Sequence, residues 1–127
     1  MQDISINLGN YRLMVTEAPT MKTRENAQTG ELETVTNRAG EVQFVVVLFA
    51  KPVAQPGRRP GKGEEIRVNL PADPGEGFDE GSYVELINPV LNTYEMRDDN
   101  GRITASGLWF KADGLKPAAP RGLSSAA

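Results

Sequence analysis

The stretch EVQFVVVLFA, Glu41 to Ala50, is the most apolar run of the chain, and the basic segment KPVAQPGRRPGKGEE, Lys51 to Glu65, follows it directly. In strand alternation Phe44, Val46 and Leu48 fall on one face and Val45, Val47 and Phe49 on the other. Neither face is polar, so the pattern predicts a strand buried on both sides, inside a barrel or under a partner subunit. Beyond the basic segment, Glu64 to Leu70 alternates cleanly, with Ile66, Val68 and Leu70 inward and Glu65, Arg67 and Asn69 outward. Lys51 to Lys62 is therefore a connection between two core strands.

Working outward in both directions, strands and turns continue. Tyr11 to Val15 is a first strand, and the polar stretch Thr20 to Asn37 holds NAQTG and begins NRAG, Asn/Gly pairs that read as hairpin tips. PADPGEGFDEG, with two prolines and three glycines, breaks all regular structure beyond one helical turn. Ser82 to Asn88 is a further strand, and Pro89 belongs at a bulge or an edge. Val90 to Met96 and Ser106 to Ala112 flank the turn Asp98 to Gly101 as a closing hairpin. No segment keeps a 3.6-residue apolar period. The expected fold is all-β, a small five- to six-stranded barrel.

The 127 residues predict one domain over 1–117, with a small, Pro-rich and mobile tail over 118–127. The opening MQDISINLGNYR has an early acid and no apolar core, so it does not read as a signal peptide. No apolar stretch is long enough to span a membrane as a helix, so no membrane partner and a cytoplasmic location are expected.

The chain contains no cysteine and no histidine. Disulfides, thiolate metal sites, the commonest zinc ligand and the usual general base are all absent, which argues against an enzyme and against a cofactor. The acids Asp73, Glu76, Asp79 and Glu80 lack the spacing of a calcium loop, and DDNG is explained by turn chemistry.

Net charge is −3, yet the distribution is uneven. Lys51 to Lys62 carries four cations and no acid, and Pro71 to Glu85 carries five acids and no base. Gly57 to Gly63 faintly resembles a phosphate-cradling Walker loop. The spacing is one residue short, the hydroxyl residue is replaced by Gly63, and prolines remove amide donors. That reading fails. A loop in which Lys51, Arg58, Arg59 and Lys62 neutralise nucleic-acid phosphates remains, beside the plain alternative of a solvated connection.

Lys22 and Arg24, with Arg38 in the NRAG turn, form a second basic group, although Glu25, Glu31, Glu33 and Glu41 offer ordinary cross-strand pairing. Among the aromatic residues, Phe110 reads as core. Trp109 shares its face with Lys111 and is a candidate stacking platform, an end cover or a dimer contact. Tyr94, across the closing turn, and Phe49, at the mouth of the basic loop, carry the same ambiguity.

A basic arm, a doubly apolar strand, an alternating strand, then LPADPGEGFDEGSYVELINP and a closing hairpin ending WFKADGLKP succeed one another. This order resembles small single-stranded-DNA-binding OB-fold proteins of the filamentous-phage gene-five type, and similar accessory proteins of actinobacterial plasmids and integrative elements. The matching features are the arm Lys22 to Glu41, the strand Gly81-Ser82-Tyr83-Val84-Glu85-Leu86 and the exit Leu115-Lys116-Pro117, so the resemblance spans Thr20 to Pro117. It implies an OB-like barrel with an extended basic hairpin arm, single-stranded DNA as ligand and a homodimer. Two features depart from it: the arm is mixed in sign, and the loop at Lys51 to Gly63 is longer and more basic.

The expectation is thus a low-specificity single-stranded DNA-binding protein, accessory to replication or transfer of a mobile element. Lys22, Arg24, Arg38, Lys51, Arg58, Arg59, Lys62 and Lys111 would contact phosphates, and Phe49, Tyr94 and Trp109 would stack on bases. The rivals are a protein-interaction or assembly β-domain that binds no nucleic acid and, ranked last, a carboxylate enzyme.

Overall fold

The computed structural model describes residues 2–59 and 61–118. These form ten strands and no helix: β1 (Ile4–Ser5), β2 (Tyr11–Met21), β3 (Thr23–Glu25), β4 (Leu32–Thr34), β5 (Phe44–Pro52), β6 (Glu64–Leu70), β7 (Tyr83–Ile87), β8 (Val90–Arg97), β9 (Ile103–Lys111) and β10 (Gly114–Pro117). Eight of them make one mixed sheet in the order β1-β8-β9-β6-β5-β2-β7-β10, and β3 pairs with β4 separately. All pairings are antiparallel except β6 with β9.

The all-β expectation holds, but the strand count does not. The additional strands are β1, β3, β4 and β10, two to four residues each, too short to show a period. No closed ring of hydrogen bonds joins the ends of the sheet, which runs open from β1 to β10. Pro89 sits between β7 and β8 beside Asn88, whose φ is +49°. The proline removes a ladder donor and the left-handed asparagine turns the chain, so the run from Ser82 onward splits there.

The core follows from period two. Leu13 and Val15 of β2, Val46, Leu48 and Ala50 of β5, and Ile66, Val68 and Leu70 of β6 lie opposite one another on one face. Phe78, Val84, Ala112 and Leu115 complete the cluster, with Phe44, Leu86 and Phe110 packed against it. Each fully buried Val or Leu contributes about 1.5–3 kcal/mol, so this one-sided row is the main source of stability. Phe78 also pins the acidic loop: Gly75, Gly77 and Gly81 around it take φ of +94° to +98°, which lets the chain dip inward and return.

β5 is buried on both faces, as its composition demands. Val45 and Val47, opposite the core row, are 8% and 6% exposed within the single chain. Their ladder neighbours are Thr20 and Asn69 for Val45, and Glu17 and Arg67 for Val47. Long flanking side chains have enough methylene length to cover such valines. The doubly apolar strand therefore needs no partner subunit, and that reason for a dimer falls away.

The arm differs from a single extended hairpin. Lys22 N donates to Gln43 O (2.7 Å), Gln43 N to Val35 O (2.8 Å) and Val35 N to Lys22 O (2.8 Å), a closed ring of three main-chain bonds. Two tips branch from this root, one over Asn26–Glu31 and one at Asn37–Gly40. The Asn26 and Asn37 side chains each accept from two backbone amides of their own tip. Of the tail, Ala118 donates to Tyr83 O at 3.1 Å, and 119–127 lie outside the described residues. Among the described residues no helix is long and apolar enough to cross a membrane.

Candidate nucleic-acid interface

The ladder registers decide which side chains share the face opposite the core. Across β2 and β5, Arg12 lies opposite Lys51 and Met14 opposite Phe49. Across β5 and β6, Phe49 lies opposite Glu65 and Val47 opposite Arg67. The parallel pairing sets Asn69 beside Lys111, which carries the same face onto β9. Alternation then puts Trp109 and Gly107 on that face, with Asn92 opposite Trp109 and Tyr94 opposite Gly107 on β8. Phe110 points the other way and packs against the core.

Phe49, Lys51, Tyr94, Trp109 and Lys111 thus share one face of one sheet. Two glycines shape it. A Cβ on Gly63 would stand 2.3 Å from the Phe49 ring, so that ring lies directly on the last glycine of the basic loop. A Cβ on Gly107 would stand 2.7 Å from the Tyr94 ring, which rests on the bare backbone of β9.

Two cations of this face are not among the sequence candidates: Arg67, which alternates outward on β6, and Arg12, whose guanidinium sits 4.8 Å from the centroid of the Tyr83 ring. Arg12 and Lys51 are like charges directly opposite, an arrangement that costs stability unless an anion lies between them. The pairing of a distant Tyr83 with β2 leaves no local trace, although a basic residue on each of two neighbouring strands was a usable signal.

The other cations are placed differently. Arg58, Arg59 and Lys62 are exposed on the loop joining β5 to β6, with Gly57 at φ +74° and Arg58 N bonded to Gln55 O at 3.2 Å. Lys22, Arg24 and Arg38 belong to the arm, rooted at the opposite end of β5, roughly 27 Å away along nine strand residues. The structure does not bring arm and loop together.

None of the eight cations expected to contact phosphate makes an ion pair among the described residues, where the pairs are Arg97–Glu95 and Lys116–Glu85. Cross-strand neutralisation was the plain explanation of the arm charges. Arg24 does lie opposite Glu33, but that carboxylate accepts from Asn26 Nδ2 at 2.7 Å instead. Glu17 and Glu65 sit within the cationic face and lower its potential.

A cavity of about 470 Å³ lies elsewhere, lined by Ala18, Pro19, Phe44, Phe78 and the acids Asp73, Glu76 and Asp79. Its sign is wrong for a polyanion, and among the described residues no group of acids is arranged to hold a metal ion. No protein-family model matches the chain, and no curated protein matches it.

Proposed function

We propose that this chain binds single-stranded DNA with little sequence preference and without catalysis, as a cytoplasmic accessory of replication or transfer of a plasmid, phage or integrative element. The observation that carries the reading is one sheet face that holds Phe49, Trp109 and Tyr94 together with Arg12, Lys51, Arg67 and Lys111. Stacking contributes about 1–3 kcal/mol per base whatever its identity, and interleaved cations neutralise the backbone between bases. The basic loop continues this face from the end of Lys51.

An OB-type barrel belongs to the same proposal. β7 pairs with β2 and β8 pairs with β9, while only Asn88 and Pro89 separate β7 from β8. Taking β7 and β8 as one bent strand closes the series β2-β5-β6-β9-β8 through a covalent link. A five-stranded barrel with a ligand face on its central strands is the OB arrangement.

Gel shift with single- and double-stranded oligonucleotides at two salt concentrations tests the function. Preference for single strands and strong weakening at the higher salt are expected, and equal or absent binding at low salt rejects it. The rival assembly role draws on exposed Met96, Ile103 and Leu108. It requires an Arg58→Glu/Arg59→Glu variant to behave as the parent in every nucleic-acid assay.

A further inference from the structure

The hairpin of β8 and β9 runs past the rest of the sheet. β1 covers β8 only at Val90 and Leu91, and Gln2 Nε2 reaches Thr93 O at 3.5 Å. β6 covers β9 only at Phe110 and Lys111. The ribbon beyond exposes Tyr94, Met96, Ile103 and Leu108, at 46%, 59%, 52% and 60%. An unpaired edge bearing apolar side chains is a template for another strand.

The direction of its free groups can be read. Pro89 O accepts from Ile6 N, and Thr93 O accepts from Gln2, so alternate residues from Pro89 onward turn their main-chain groups outward. Met96 O accepts from Thr104 Oγ1 of β9 and Asp98 N donates to Arg102 O, so the intervening positions turn inward. The one register shift of this ladder leaves Thr104 of β9 unmatched, and β8 itself stays regular. Glu95 and Arg97 therefore present their amides and carbonyls to the open edge, where no backbone partner meets them among the described residues.

We infer that a second copy of this chain pairs with that edge, β8 against β8 in antiparallel sense about a two-fold axis through Met96. In this register Glu95 of each copy forms a hydrogen-bonded pair with Arg97 of the other, opposite charges directly across, while the two Met96 residues form the close non-hydrogen-bonded pair. Centring the axis on Glu95 or on Arg97 would oppose like charges. Centring it on Tyr94 would drive the second copy into the segment at Gln2. The existing Arg97–Glu95 contact, 2.9 Å and half exposed at both ends, holds little energy and does not resist sharing.

The pairing carries both copies' Tyr94, Met96 and Trp109 onto the same side of a continuous sheet, since a two-fold perpendicular to a sheet preserves its faces. It deepens the homodimer implied by the resemblance, but it rests on the edge geometry and not on nucleic-acid binding.

The chain has no cysteine, so one can be introduced alone. In the non-hydrogen-bonded pair the Cα atoms are roughly 4.5 Å apart, within disulfide range. Met96→Cys, oxidised mildly without nucleic acid, is expected to give a disulfide dimer. Tyr94→Cys is expected to stay monomeric, because the two residues stand roughly 13 Å apart along the strands in that register. Glu95→Arg and Arg97→Glu, each in the Met96→Cys background, should slow cross-linking, and both together should restore it. A monomeric Met96→Cys protein, equal cross-linking at Tyr94→Cys, or no rescue by the double exchange overturns the inference. Gel shift on the same preparations reads the nucleic-acid proposal separately.

Discussion

At the scale of residues, two close contacts decide how the candidate face is built. Gly63 leaves room for the Phe49 ring, and an added methyl would meet that ring at 2.3 Å and Ala50 O at 3.2 Å. Gly63→Ala is expected to push Phe49 off its seat at a cost of ~1–3 kcal/mol, the usual range for overpacking. Thermal unfolding should show a lower Tm, and single-strand affinity should fall with it. Gly107→Ala differs because its clash is with the outer end of an exposed Tyr94, which has solvent to move into. Asn92 is fully buried, and its Oδ1 accepts from Asp3 N at 2.8 Å while its Nδ2 has no partner among the described residues. Asn92→Ala removes both a made bond and an orphaned donor, each of order 1 kcal/mol, so global stability should change little. Hydrogen exchange at the Asp3 amide should nevertheless accelerate, because it loses its Asn92 acceptor while the ladder of β1 with β8 remains. Unchanged protection there would refute this account of Asn92.

At the scale of elements, the two ends of β5 divide the cations into separate groups. The loop from Lys51 to Lys62 adjoins Phe49, whereas the arm springs from Gln43 at the far end. Arg58→Glu/Arg59→Glu reverses two charges next to the aromatic face and is expected to weaken oligo(dT) binding by roughly a hundredfold at low salt. An Arg24→Glu/Arg38→Glu variant alters charges on the two branches of the arm, Arg24 in β3 and Arg38 in the Asn37–Gly40 turn, and should cost less. Fluorescence titration of Trp109, the single tryptophan, measures both. Equal losses in the two variants would mean that arm and loop engage the same strand of ligand together.

At the scale of the molecule, binding should obey the salt law for single strands, with a log–log slope of about −0.7 for each phosphate neutralised. Four cations on the sheet face, Arg12, Lys51, Arg67 and Lys111, with three on the loop, bound the slope near −5 before Glu17 and Glu65 subtract from it. A slope near zero, measured by fluorescence titration across salt concentrations, would remove the phosphate mechanism altogether.

The sequence by itself determined the faces. Alternation in Glu64–Leu70 separated Ile66, Val68 and Leu70 from Arg67, and the pattern Leu-Trp-Phe-Lys assigned Phe110 to the core and Trp109 away from it. Asn/Gly pairs marked the turns because local chemistry suffices there. The tertiary structure alone decided the neighbours: Lys111 beside Asn69, Arg12 opposite Lys51, Tyr83 under Arg12, and the main-chain ring of Lys22, Val35 and Gln43 that roots both tips of the arm. It also decided that Val45 and Val47 are buried within one chain. The physical reason is that a side chain's face is fixed by its own backbone, one residue to the next. Strand pairing, in contrast, is chosen by the burial of the whole apolar row, between segments that share no local signal.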